Sequence, residues 1–103
     1  MTEYHKAIRD KIPEIIEKSG NKSNVKTLPD DEFLKELEKK LVEEINEYQD
    51  SKDVEELADI MEVIYRIASL RGKSSEQLDE IRKGKSSERG AFEKNLFLLS
   101  TDD

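Results

Sequence analysis

The sequence predicts an all-α fold, a single bundle-type domain of four helices over residues 1–103. Three observations predict it. Apolar residues recur at three- and four-residue spacing along two long stretches: Leu34, Leu37, Leu41, Ile45 and Tyr48 in one, Leu57, Met61, Ile64 and Ala68 in the other. Residues that start and stop helices fall between these stretches. The strand signal is weak and confined to residues 24–28 and 95–99, where a short β pairing near the termini is the alternative to coil.

Residues 1–7 are polar, with Tyr4 and Ala7 as the candidates for docking on the body of the domain. A first helix is expected near 10–19, with Pro13 in its first turn, where a missing N–H costs nothing. Ile8, Ile12, Ile15 and Ile16 give it an apolar face, and Gly20 stops it. Residues 21–29 connect. Pro29-Asp30-Asp31-Glu32 reads as a helix start, with an Asp cap and acidic residues in the first turn, for a helix over 31–49. Gln49 to Asp53 break it, Asp53 or Ser51 caps the next helix over 54–71, and Gly72 ends that one. Two helices joined by so short a loop are expected to be antiparallel neighbours. Ser74-Ser75-Glu76-Gln77 caps a fourth helix over 75–88 with a modest apolar face of Leu78 and Ile81. Phe92, Leu96, Phe97, Leu98 and Leu99 follow Gly90 and are expected to pack as an extended tail or short strand.

Composition narrows the function. A net charge of -7 argues against nucleic-acid polymer or an anionic membrane as partner. It is compatible with a nucleotide carried in with a divalent metal. No apolar run reaches the length of a membrane span and no signal peptide is visible, so a cytoplasmic location is expected. With no cysteine and only His5 as histidine, thiolate and Zn sites are unlikely chemistry for this chain, and an all-carboxylate site suits Mg2+, with Mn2+ as the alternative. Hydrophobic residues are 34% of the chain, low for a globular domain. The helix over 54–71 is nonetheless apolar round most of its circumference, which three modest helices hardly cover. A homodimer or tetramer is therefore expected.

The acidic residues are the candidate chemistry. Glu44 and Glu47 are three apart, as are Glu56 and Asp59, and residues three apart share a helix face. Glu44 lies about 60° from Leu41 on the helical wheel and Glu47 about 120° on the same side. Glu43 lies further round that flank. Glu56 falls inside a wide apolar arc set by Leu57, Ile60, Val63 and Ile67, with Asp59 at its edge. Across a tight antiparallel turn the two pairs converge. Crowded, partly buried carboxylates repel one another and call for a cation. The alternative is ordinary solvated charge, the reading assigned to Glu36, Glu38 and Glu55 in a chain that is 42% charged. Arg9 and Lys11, and the basic end of the fourth helix with Arg82, Lys83, Lys85 and Arg89, are candidates for phosphate contact or simply solvated and dipole-complementing charges.

Glu-Glu-x-x-Glu over 43–47 followed by Glu-x-x-Asp over 56–59 resembles the metal-binding signature of the all-α nucleotide pyrophosphohydrolases, the superfamily of MazG-like enzymes, phosphoribosyl-ATP pyrophosphohydrolase and dimeric dUTPases. Lys6-Ala7-Ile8-Arg9-Asp10-Lys11-Ile12-Pro13 and Glu88-Arg89-Gly90-Ala91-Phe92 are similar to the ends of small phosphoribosyl-ATP-pyrophosphohydrolase-like proteins, so the resemblance covers nearly the whole chain. Eight residues, Tyr48 to Glu55, separate the two acidic motifs, fewer than in many members. The resemblance implies the all-α NTP pyrophosphatase fold, with Glu44, Glu47, Glu56 and Asp59 as Mg2+ ligands. It implies Glu43 or Glu47 as the catalytic acid-base residue, and Lys83, Lys85 and Arg89 as phosphate contacts. Arg9 and Lys11 join them if their segment folds over the site. The implied activity is hydrolysis of a nucleoside triphosphate or related nucleotide between the α and β phosphates, to a monophosphate and pyrophosphate, in a house-cleaning role. The competing reading is a non-catalytic helical dimerisation module, or one that binds metal and nucleotide without turnover.

Overall fold

The computed structural model describes residues 2–102. Four helices follow in order: α1 (Ile12–Lys18), α2 (Asp30–Ser51), α3 (Val54–Leu70) and α4 (Ser75–Arg89). Among the described residues there is no strand, so the β pairing considered for 24–28 and 95–99 does not form. An extended segment needs a ladder partner for its backbone groups, and both segments lie mostly exposed, where water serves instead.

The helix ends follow local chemistry. Pro13 stands in the first turn of α1, and Gly20 leaves its end at φ 93°. The start of α2 differs from the Asp cap the sequence suggests. Pro29 occupies the cap position with no side-chain bond, and Asp30, Asp31 and Glu32 all lie inside the first turn. Their charge there complements the positive end of the helix dipole. The α2 helix closes on Lys52 in the left-handed conformation, φ 59°, its N–H donating to the Tyr48 carbonyl at 2.7 Å. Asp53 then caps α3 by accepting from the Glu55 N–H at 3.0 Å. At α4 a reciprocal capping box forms: the Gln77 N–H donates to Ser74 Oγ at 3.1 Å, and the Ser74 N–H donates to Gln77 Oε1 at 2.9 Å.

With only Lys52 and Asp53 between them, α2 and α3 turn back on each other. Arg71, just past the end of α3, donates to Glu38 near the start of α2 at 2.9 Å, while Glu44 in the later half of α2 lies beside Glu56 and Asp59 at the start of α3. The hairpin is thus antiparallel, as the loop length predicts. It is the main packing unit, and α4 packs more lightly on α3. The core is small. Leu37 of α2 and Val63 of α3 are buried together with Ala7, backed by Phe33, Leu41, Ile67 and Leu70. Ala7 therefore docks the N-terminal segment into the hairpin, whereas Tyr4 stays 70% exposed.

Much apolar surface is left outside. The expectation that α3 is enclosed on nearly all sides fails within one chain, where Val54, Leu57 and Met61 are exposed. The tail residues Phe92, Leu96, Phe97, Leu98 and Leu99, expected to pack, do not, because Gly90 carries the chain off α4 and away from the hairpin core. The radius of gyration is 18.0 Å. A compact chain of this length has about 13 Å. The Ser74→Ala change removes the one complete capping box among the described residues. It is expected to lower stability by about 1 kcal/mol in urea unfolding followed by far-UV circular dichroism. Ser75→Ala, one position into the helix, is expected to stay within about 0.5 kcal/mol of the parent.

Candidate metal centre

The antiparallel hairpin sets carboxylates of the two acidic motifs, with Glu43 beside them, in two overlapping groups that share Glu44. Oxygens of Glu43, Glu44 and Glu47 lie within 4.8 Å of one another, and so do oxygens of Glu44, Glu56 and Asp59. Glu44 belongs to both groups and is the hinge of the site. It is 7% exposed, the one buried charged residue among those described. Glu56 and Asp59 are half-buried and Glu47 is exposed. A helix turn past Leu37 and Leu41 places Glu44 on the flank of the apolar stripe, which is why the core encloses it.

Basic side chains reach the cluster from two sides. Lys40, one turn earlier on α2, pairs with Glu44 Oε1 at 3.3 Å and stands 4.0 Å from Glu43. The docked N-terminal segment supplies the others: Lys6 donates to Glu43 at 3.2 Å, and Arg9 donates to Asp59 at 2.7 Å with Glu62 at 3.9 Å. One atom is left out. Glu44 Oε2 is buried and has no hydrogen-bond partner among the described residues. A buried carboxylate oxygen without a donor is costly, and it belongs to the residue that both carboxylate groups share. Burial pushes the Glu44 carboxyl above its ordinary value against the pull of Lys40, and Glu47 alongside raises it further. Glu56 is raised as well, by partial desolvation and then by the charges of Asp59 and Glu44. An all-carboxylate donor set whose shared member has an orphaned oxygen fits a hard divalent cation such as Mg2+ or Mn2+.

A cleft of about 450 Å³ opens beside the cluster, between the N-terminal segment and the hairpin. Its apolar wall is Ala7, Ile8, Phe33, Leu37 and Val63, and its polar wall includes Glu44 and Asp59 with Arg9, Lys11, Lys40 and Arg66. Arg9 and Lys11 are thus where a segment folded over the site would put them. Lys83, Lys85 and Arg89 do not line this cleft. They lie exposed on α4, and Lys83 is held by Asp79 at 3.3 Å. Lys40, Glu62 and Arg66 are the cleft residues that the sequence reading missed. Helical spacing carries the signal for each: Lys40 precedes Glu44 by four, Glu62 follows Asp59 by three, and Arg66 follows Glu62 by four.

Comparison with protein-family models, with curated proteins and with solved structures returns no match for this chain.

The raised carboxyls give the site a pH signature. With Glu44 and Glu56 raised in the folded state, the native protein holds more protons than the unfolded chain between the ordinary glutamate value of 4.5 and the folded values. Their contribution to stability is therefore fully present below the unfolded value and is lost as pH rises through the folded one. Thermal melts of the parent are expected to show this contribution growing as pH falls from about 7 toward the ordinary glutamate value of 4.5. In the Glu44→Gln variant that part of the pH dependence should flatten.

Proposed function

We propose that this chain is a Mg2+-dependent nucleotide pyrophosphohydrolase of the MazG-like, all-α class, acting as a homodimer or tetramer. The observation that carries the reading is Glu44, buried with one oxygen unpartnered and common to the two carboxylate groups, beside a cleft lined by charges of both signs. Acidic residues that serve solubility alone have no reason to sit buried without a donor. The cleft volume is within the range of about 300–1,000 Å³ typical of small-molecule pockets.

Glu44, Glu47, Glu56 and Asp59 are the residues that would hold the cation. Such an ion supplies charge neutralisation at the polyphosphate and a more acidic water. The rest is the work of the chain. Arg9 and Lys11, joined by Lys40 and Arg66, present positive charge to phosphate oxygens at the cleft wall. Ile8, Phe33 and Val63 offer an apolar face to the base and exclude bulk water. Glu43 or Glu47, at the wet edge of the cluster, takes the proton from the attacking water. Water adds to the α phosphorus, its bond to the bridging oxygen breaks, and pyrophosphate leaves with the freed electron pair. Because Lys6, Arg9 and Lys40 already pair with Glu43, Asp59 and Glu44, substrate phosphates and carboxylates compete for the same cations. The exposed apolar surface favours one second reading, a helical association module without chemistry, which differs in having no Mg2+ response.

Glu56→Gln tests the assignment. It keeps the shape and removes one negative charge from a crowded set. Without added metal the variant is expected to melt at the parent temperature or above it. Stabilisation by Mg2+, which follows mass action, should fall sharply, and so should pyrophosphate release from a panel of nucleoside triphosphates. Glu80→Gln on the exposed side of α4 should change neither. An unchanged Mg2+ response and unchanged hydrolysis in Glu56→Gln would remove the carboxylate cluster from the mechanism.

A further inference from the structure

The chain exposes 9437 Å². A folded protein of 12.0 kDa exposes about 6,000 Å², so about 3,400 Å² is surplus. Two such chains together carry more surplus than the about 2,000–5,000 Å² in total that obligate homodimers bury, so an interface of that class fits within it. Its apolar part includes two patches. One is the tail, where Phe92, Leu96, Phe97, Leu98 and Leu99 are 78–97% exposed and lie on no face of their own chain. The other is the outer face of α3 with α4, where Leu57, Met61 and Ile81 are exposed and a groove of about 180 Å³ runs between the two helices.

We propose that the tail of one chain, residues 92–99, seats in the α3–α4 groove of a second copy. The groove is lined by Met61, Ile64, Tyr65 and Leu78, with Asp79 and Arg82 at its rim. Its volume suits one large side chain, since an apolar cavity of about 150 Å³ already holds a benzene ring. Phe92 and Phe97 offer such rings, and Leu96, Leu98 and Leu99 extend the apolar contact along the helices. Charge also matches. Two chains of net charge -7 meet only through locally neutral surface. The tail carries Glu93 and Lys94, which cancel, and at the rim Arg82 and Lys83 both pair with Asp79. A two-fold arrangement lets each copy give its tail and receive its partner's, so every contact counts twice. In its own chain the tail does not enter the groove, since Phe92, Leu96, Phe97, Leu98 and Leu99 all stay exposed. The proposal rests on the self-association in the preceding section and is independent of the pyrophosphohydrolase chemistry.

The chain has no cysteine, so introduced thiols report without background. Chains carrying Met61→Cys and mass-tagged chains carrying Leu98→Cys are mixed, allowed to exchange, and treated with a short bis-maleimide. A crosslinked species joining one chain of each kind is expected to dominate. A double variant in a single chain that closes only on itself at high dilution, or the absence of the mixed species, overturns the proposal. In sedimentation equilibrium, Phe97→Ser with Leu98→Ser is expected to weaken dimerisation at least about tenfold in Kd at unchanged helical circular dichroism. A parent that sediments as a monomer at micromolar concentration overturns both the tail docking and the self-association beneath it. A dimer indifferent to the tail substitutions overturns the tail docking alone. Mg2+ response enters neither readout, so failure here leaves the metal assignment to its own test.

Discussion

A carboxylate with one oxygen cut off from water has to be met by positive charge, and the α2–α3 hairpin is built round that requirement. Glu44 is enclosed because it rides beside the stripe that carries Leu37 and Leu41 into the core. The two-residue turn at Lys52 and Asp53 then fixes which part of α3 faces it, so that Glu56 and Asp59 arrive on the same side. Lys40 answers one oxygen, and nothing among the described residues answers the other. Lengthening the turn or shifting α3 by one residue would rotate Asp59 away and leave Glu44 buried with less reason to be there. The packing of the hairpin and the chemistry of the cluster are in this sense a single constraint.

The same constraint explains the N-terminal segment. It forms no long helix, yet Ala7 is among the most buried residues of the chain. A small side chain there lets the backbone lie close against Leu37 and Val63, and that approach carries Lys6 and Arg9 to Glu43 and Asp59. These ion pairs are partly exposed, and such pairs contribute little to stability on their own. Their value is positional. They hold the cationic side chains of Lys6 and Arg9 against the acidic cluster.

The hairpin and its acidic face were legible in the sequence because helical periodicity, Asp53, Gly72 and the Ser74–Gln77 box are local signals. The convergence of Glu44 with Glu56 and Asp59 followed from their helical spacing and the short loop together. Other features depend on packing that periodicity does not encode. Pro29 rather than Asp30 took the cap position of α2, a difference of one residue that only the backbone decides. Glu36 was expected on an open face and is half-buried beside Lys39, because α2 continues under it. The tail Phe92–Leu99 reads as core by composition, and a single chain offers it no core to join. Lys40 and Arg66 were overlooked since a lysine or arginine on a charged helix looks solvated until the element opposite is known.

Surface and site are linked through α3. One side of this helix, with Val63, Asp59 and Glu62, faces the cleft and the N-terminal segment. Another, with Met61, Ile64 and Tyr65, faces the α4 groove. A helix of seventeen residues that serves two interfaces cannot shift on one without moving on the other. Whatever covers the groove therefore also braces Glu56 and Asp59 against Glu44. The small core of a lone chain, with Ala7, Leu37 and Val63 as its buried apolar members, gives that brace little help. Precise carboxylate spacing is the demand a divalent cation makes most strictly, and Mg2+ more strictly than Ca2+. In the proposed metal site, a chain with so little interior of its own would meet that demand best when a second surface completes the packing of α3.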